Sequence, residues 1–385
     1  MLYPVEKSIF MLALALSVFY SWRNFQHLFR MIANGGEKLP SGFHLNKLLK
    51  GIWVFVSQTS LFKSRPLATF LHVLVAWGFT LYMLVNVIDV WKVWQIEIPE
   101  LSGLTIAWAY RLFADIFSVL ILIAIVYFLY RRFVYKQEKL TIRDDILMKD
   151  SVRKGVRTDS AIVAIFIFLH VGLRFLGSSF ELALSGHHDS AQFFASTLAI
   201  LWANLSPEFL VMMIHISFWM AIGLLLLFIP YFPFTKHAHL FMAPVNHYFK
   251  DESKRAAVMI PIDLEDEDLE QYGAAELTDL PQKSRLDAYA CIMCNRCQDA
   301  CPAYNSAKPL SPAALEVNKR YEMNALAKEK NGENKTESLR QWLISDEGVW
   351  ACTTCGNCET ICPVGNEPFK DLLLIRQDLV LMESE

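Results

Sequence analysis

The chain has 385 residues, 54% of them hydrophobic, and a formal net charge of −3. That length allows two or three domains, the near-neutral charge gives no support to nucleic-acid binding, and the hydrophobic excess is concentrated before residue 235. Five apolar runs there are long enough to cross a hydrocarbon core of roughly 30 Å. They lie at approximately 8–30, 67–91, 107–130, 159–180 and 208–234. The first is not followed by a small-residue cleavage site and a soluble domain, so no cleavable signal peptide is expected. Between the first two runs, Leu45, Leu48, Leu49, Ile52 and Val56 recur at helical spacing while Lys47 and Lys50 fall off that stripe. The segment Leu45 to Phe62 therefore reads as an amphipathic helix lying on a membrane surface.

Loop charge fixes the expected orientation. Lys38, Lys47, Lys50, Lys63 and Arg65 follow the first run, and Arg131, Arg132, Lys136, Lys139, Arg143, Lys149, Arg153, Lys154 and Arg157 follow the third. The loops after the second and fourth carry almost no Lys or Arg apart from Lys92. By the positive-inside rule the N-terminus is outside and the C-terminus in the cytoplasm of a multi-pass plasma-membrane protein.

From Phe241 onward hydropathy falls, and the acidic stretch Asp263 to Glu270 reads as solvated chain. The partition expected is a membrane domain over 1–240, an acidic linker over 241–283 and a cytoplasmic domain over 284–385. In the last, Pro312 to Lys330 has helical composition behind Ser311. Asn331 to Lys335 reads as a turn-like break, and Thr336 to Ile344 and Phe369 to Met382 as further helices.

Two cysteine runs organise this domain. Cys291, Cys294, Cys297 and Cys301-Pro302 repeat the spacing of Cys352, Cys355, Cys358 and Cys362-Pro363, each reading C-x₂-C-x₂-C-x₃-C-P. In that spacing three thiolates of one run grip one iron–sulfur cube and the fourth reaches across to the other. Two 4Fe–4S clusters are expected, one on Cys291, Cys294, Cys297 and Cys362, the other on Cys352, Cys355, Cys358 and Cys301. All eight cysteines of the chain are consumed. A zinc site would use four ligands in paired C-x₂-C units, and a disulfide framework belongs to small secreted domains. Reduced thiols agree with a cytoplasmic C-terminal domain.

Ionisable residues within spans are costly and point to function. His72 lies in the second span, His170 in the fourth and His215 in the fifth, with His237 and His239 following its inner end. Three spans each supplying a histidine favour b-type haem over packing residues, and two haems over one, because histidines on facing helices can clamp one iron. Counting 1.5 Å per residue puts His170 and His215 near one level, able to share an iron. His72 then needs His237 or His239, with His27 as the rival. Arg174, one turn from His170, is a candidate partner for a haem propionate. Arg111 and Asp115 read as a local ion pair, with Asp115 alternatively handling protons beside a quinone, and His187 and His188 sit in an outer loop.

These residues together resemble a known fusion. The five spans with their histidines are similar to the gamma subunit of respiratory nitrate reductase, a di-haem cytochrome b, and the cysteine-run domain to the iron–sulfur part of heterodisulfide-reductase-like proteins. The whole resembles membrane-bound iron–sulfur oxidoreductases that act as electron-transfer-flavoprotein:menaquinone oxidoreductases. The stretches Thr235-Lys236-His237-Ala238-His239, Ala243-Pro244-Val245-Asn246 and Trp350 to Pro363 carry that resemblance. It implies an all-α protein, a five-helix transmembrane cytochrome b bundle followed by a cytoplasmic α-helical ferredoxin domain. It also implies an oxidoreductase subunit with haem b, menaquinone as substrate and electron-transfer flavoprotein as donor. The quinone would lie near His170 and His215 on the Arg174 side, with Asp115, His187 and His188 as further candidates. Such proteins continue into CCG repeats, and no Cys-Cys pair occurs here, so the expectation is that either a separate subunit supplies them or the gene is split. The alternative is an electron-transfer module of a heterodisulfide- or sulfite-reductase-like complex, running electrons from quinol to a CCG-repeat thiol-handling partner. A third reading is an anchoring subunit, which leaves the membrane histidines unexplained.

Overall fold

The structure, a computed structural model, describes residues 3–62, 64–94, 105–250, 262, 265, 271–327 and 337–384. Lys63, most of the acidic stretch Asp263 to Glu270, the break Asn331 to Lys335, Lys328 to Lys330 and Thr336 lie outside them. Every regular element among the described residues is helical. Five helices are long and apolar enough to cross a membrane: Pro4–Ala33, Pro66–Trp91, Thr105–Val134, Asp150–Ser185 and Pro207–Phe234. With 26 to 36 residues apiece, each exceeds the roughly 20 residues that span a bilayer core. Only 17–39% of each hydrophobic window is buried. Leu12, Val18, Trp22, Leu84, Val126 and Leu227 instead point outward, the distribution expected of side chains that lipid would cover.

The chain divides into two compact units, neither continuous in sequence. The first comprises residues 1–22, 65–135 and 161–231. Without a hydrophobic force between helices in lipid, close approach depends on small residues and polar bonds, and both occur. A side chain at Gly78 would collide with Ile121, and one at Gly177 would stand 3.1 Å from Ser217 Cβ. Ser17 Oγ donates to the Leu226 carbonyl at 2.7 Å, tying the first span to the fifth. Tyr82 and Ser118 join the second span to the third through hydroxyls 2.6 Å apart.

The second unit comprises residues 23–64, 136–160 and 232–385. Its core gathers Leu277, Leu280, Leu286, Tyr289, Leu310, Leu315, Met323, Leu339 and Trp342. The helix Pro312–Leu326 starts where Ser311 Oγ accepts the Ala314 N–H, with Pro312 at a position whose missing N–H costs nothing. The sequence boundary at 240/241 falls inside the helix His239–Phe249, which buries Met242, Ala243 and Asn246. The described part of the segment read as linker also gives Ala274, Leu277 and Leu280 to the core.

The helix Leu45–Ser57 packs against His239–Phe249, and Gly51 permits it, since a Cβ there would lie 2.9 Å from the Pro244 carbonyl. Leu45, Leu49, Ile52, Trp53 and Val56 face away from that contact and are exposed. The amphipathic helix expected over Leu45 to Phe62 is thus present but shorter, ending at Ser57 where Gln58 turns left-handed at φ 49°, with Thr59–Phe62 a separate short helix.

Candidate functional site

The two cysteine runs fold as one local structure used twice. Cys291 ends the helix Gln282–Ala290 at φ −60°, ψ 126°, and Cys352 ends Asp346–Ala351 at φ −68°, ψ 125°. Two residues on, Met293 and Thr354 both have φ 53°, and two further on Asn295 and Gly356 have φ 57° and 69°. Left-handed backbone at a bulky residue such as Met or Thr costs energy and is held only where the surroundings impose it. Here it turns the chain so that the N–H groups of Met293 and Thr354 reach Cys291 Sγ and Cys352 Sγ, each at 3.4 Å. The short helices Arg296–Asp299 and Asn357–Ile361 then carry Cys297 and Cys358. Cys301 and Cys362 follow in extended conformation, each before a proline.

Cys291, Cys294, Cys297 and Cys362 line one cavity, together with Asn295, Glu316 and Val364, and Cys358 borders it. The fourth cysteine of the second run thus joins three of the first. Cys301, Cys352, Cys355 and Cys358 lie close enough to act on one another electrostatically. Burial pushes the thiols of Cys291 and Cys358 up to about 12, and nearby thiolates add repulsion. Cys297, Cys301, Cys352 and Cys362 are also raised by burial. Thiols so placed ionise only when a cationic centre compensates them, which suits iron ligation. Among the described residues no three ligand side chains converge tightly enough for a single ion.

A buried polar lattice of Asn246, Asp287 and Asn366, distant in sequence, holds the crossing cysteine. Asn246 Nδ2 donates to Asp287 Oδ1 at 2.7 Å, to the Val364 carbonyl at 2.9 Å and to Asn366 Oδ1 at 3.1 Å. Asp287 Oδ2 accepts the Glu367 N–H, and Asn366 Nδ2 donates to the Asp287 carbonyl. The Asn366 N–H reaches Cys362 Sγ at 3.3 Å. The helix that ends at Cys291 is thereby bonded to the loop that follows Cys362. Beside the cavity, Lys319 is fully buried and donates to Asp371 at 2.5 Å and to Ser284 Oγ at 3.0 Å. It stands 3.3 Å from Glu316, whose carboxyl burial pushes up to about 8.

Histidines occupy different settings. His170 is buried, with Nδ1 2.8 Å from the Ala221 carbonyl, Phe166 stacked on it and Tyr82 edge-on. Its Nε2 is buried with no hydrogen-bond partner among the described residues. An imidazole whose Nδ1–H is held by a carbonyl presents Nε2 as a metal ligand, so His170 is the residue whose Nε2 would hold a haem iron. His215 instead bonds Glu6 through Nδ1 at 3.1 Å and stacks on Tyr3. His170 stands level with Ala221, six residues and about 9 Å along the helix from His215, and not level with His215 as simple counting gave. Counting residues from assumed span ends ignores helix tilt and stagger.

His72 is half-buried on the second span. In the second unit, His237 and His239 sit with ring centroids 6.2 Å apart, His237 buried and His239 Nδ1 2.6 Å from the Lys236 carbonyl. His27 is half-buried there, and His187 and His188 are exposed.

Arg174 is engaged by Asp89, through Nε at 3.0 Å and Nη2 at 3.3 Å. A half-buried guanidinium among spans needs a counter-charge, and Asp89 supplies one. The local pair expected of Arg111 and Asp115 does not form. Arg111 Nε donates to Asp189 at 2.8 Å, while Asp115 accepts the N–H groups of Phe194 and Ala195 at 2.9 and 3.1 Å. Unpaired N–H groups at the start of the helix Phe193–Ala199 make the better partner for that carboxylate.

Residues 287–366 match the family described as 4Fe-4S dicluster domain. The chain is 30% identical to a probable iron-sulfur-binding oxidoreductase, FadF, of Bacillus subtilis, over 91% of this chain and 52% of the relative. It is 26% identical to an EtfAB:quinone oxidoreductase of Syntrophomonas wolfei, over 88% of this chain and 50% of the relative. A probable membrane-anchored ferredoxin of Chromohalobacter salexigens is 27% identical over 34% of this chain and 22% of its own length. The chain thus spans about half the length of the first two relatives. No solved structure matches.

Proposed function

We propose that the chain is a membrane electron-transfer subunit that connects a cytoplasmic donor with menaquinone. The observation that carries this is the pairing of two crossed cysteine sets with membrane-length helices that bury a histidine bearing an uncommitted Nε2. The relative named EtfAB:quinone oxidoreductase supports electron-transfer flavoprotein and a quinone as the two ends. Orientation from loop charge supports an N-terminus outside and the iron–sulfur domain in the cytoplasm.

Cys291, Cys294, Cys297 and Cys362 would hold one 4Fe–4S cluster and Cys352, Cys355, Cys358 and Cys301 the other. His170 would hold a haem b, and His72, His215, His237 and His239 are the remaining candidate ligands. Bound clusters and haem supply the one-electron chemistry, and the protein supplies position and surroundings. Cys355 is exposed and Cys358 buried, so the second set presents an edge to a soluble partner. The Ala221 carbonyl orients His170, while Asp89 neutralises Arg174 one turn away.

The test is iron quantitation and a pyridine haemochrome spectrum on the purified chain. About eight non-haem irons, the content of two cubane clusters, with haem b absent from a His170→Ala variant or halved in it, is the expected result. Iron without haem in the unaltered chain would reduce the proposal to a membrane-anchored ferredoxin.

A further inference from the structure

Each cysteine run is served by one arginine that returns from a later helix to its first ligand. Arg320, on Pro312–Leu326, donates Nε to the Ala288 carbonyl at 2.7 Å and Nη2 to the carbonyls of Tyr289 at 3.0 Å and Cys291 at 2.5 Å. Arg376, on Pro368–Leu381, donates Nε and Nη2 to the Val349 carbonyl at 3.1 and 2.7 Å, and Nη2 to the Cys352 carbonyl at 2.6 Å. Ala288 and Val349 each stand three residues before their cysteine. The same clamp therefore closes the same turn in both halves, although the two arginines come from unrelated places in the chain.

Among the described residues neither arginine is paired with a carboxylate, and each gives its bonds to backbone carbonyls instead. Arg320 is 1% exposed, and its Nη1 is buried with no acceptor among the described residues. Both N–H groups of Nη1 are thus left without an acceptor among the described residues. Arg376 is half-buried and lies 5.3 Å from the ring of Trp350, which is half exposed.

We propose that Arg320 and Arg376 are paired positioning residues, each fixing the first cysteine ligand of its own cluster and raising the reduction potential of that cluster without moving the other. The proposal rests on the two-cluster reading above. Adding an electron adds negative charge, which a fixed cation stabilises more strongly in a low-dielectric interior than in water. Arg320, being the more buried, has the larger effect.

The experiment is an anaerobic redox titration of the full-length protein in detergent, followed by electron paramagnetic resonance. Cys355→Ser identifies the signal of the second cluster. Arg376→Gln is expected to shift the reduction equilibrium of that signal at least tenfold toward the oxidised form, 59 mV for one electron, and to leave the first signal in place. Arg320→Gln does the converse, with a larger shift. Arg320→Lys and Arg376→Lys keep the charge and lose the fork, so the potential is largely restored while the line shape stays altered. If Arg320→Gln does not retain iron, Arg376→Gln and the lysine variants decide. Potentials unmoved in Arg376→Gln, or both signals shifted equally, overturn the assignment. Absence of both signals from the unaltered protein overturns the cluster reading itself.

Discussion

Replacing Asn246 with alanine should loosen the crossing ligand of the first cysteine set. The side chain is fully buried and the two N–H groups of its amide are shared among three acceptors, one of them the Asp287 carboxylate, so they count as one charged and one neutral bond. A hydrogen bond to a charged group contributes about 1.5–3 kcal/mol and a neutral one about 1 kcal/mol, and acceptors left buried without a donor add to the loss. A cost of about 3 kcal/mol follows, a large share of a typical stability of about 5–15 kcal/mol. At about 2–4 °C per kcal/mol for a unit of this size, the unfolding midpoint should fall by about 6–12 °C. The assay is thermal unfolding of the purified full-length protein, followed by far-ultraviolet circular dichroism and by visible absorbance of bound iron–sulfur. Iron should be lost first, because the loop after Cys362 depends on Asn246 directly. An unchanged midpoint with full iron retention would refute the reasoning.

The Glu316 carboxyl, raised to about 8 by burial, binds a proton in the folded chain between pH 4.5 and 8 that the unfolded chain releases. Stability therefore falls as pH rises through that window, and Glu316→Gln should flatten the profile, as chemical unfolding at pH 5 and pH 8.5 would show. Gly51→Leu places side-chain atoms against the Pro244 carbonyl and should cost about 1–3 kcal/mol, read as a lower melting midpoint beside an unaltered Ser185→Ala control. Arg174→Met removes the charged hydrogen bonds to the half-buried Asp89 and should cost about 1.5–3 kcal/mol. The double variant Asp89→Asn/Arg174→Met should recover most of that in detergent-melting experiments.

The five spans were legible because twenty-residue apolar runs have few alternative explanations. The cysteine spacing predicts a crossed pair of cubes, and the structure places Cys362 in one cavity with Cys291, Cys294 and Cys297. What escaped the sequence are partners chosen across long separations. Asp89 and Arg174 are 85 residues apart, Asp115 and Phe194 are 79, and Asn246 and Asn366 are 120. Short-range patterns do not reach that far, so Arg111 and Asp115, four residues apart, looked like a pair although each has a better partner elsewhere. The same holds for the helix His239–Phe249, whose composition reads as a fading span while its tertiary role is to bury Asn246 beside the cysteine loops. The amphipathic stripe of Leu45–Ser57 was readable, whereas Gly51 as its contact point was not.

The central claim is passage of electrons between the iron–sulfur unit and a quinone in the bilayer. Its most direct test reconstitutes the full-length protein in liposomes containing menaquinone, supplies reduced electron-transfer flavoprotein outside, and follows quinone reduction under anaerobic conditions. Menaquinone reduction that is lost in Cys355→Ser and in His170→Ala is the predicted result. Menaquinone reduction that persists unchanged in both variants, or quinone that stays oxidised while the iron–sulfur signals become reduced, would contradict the account.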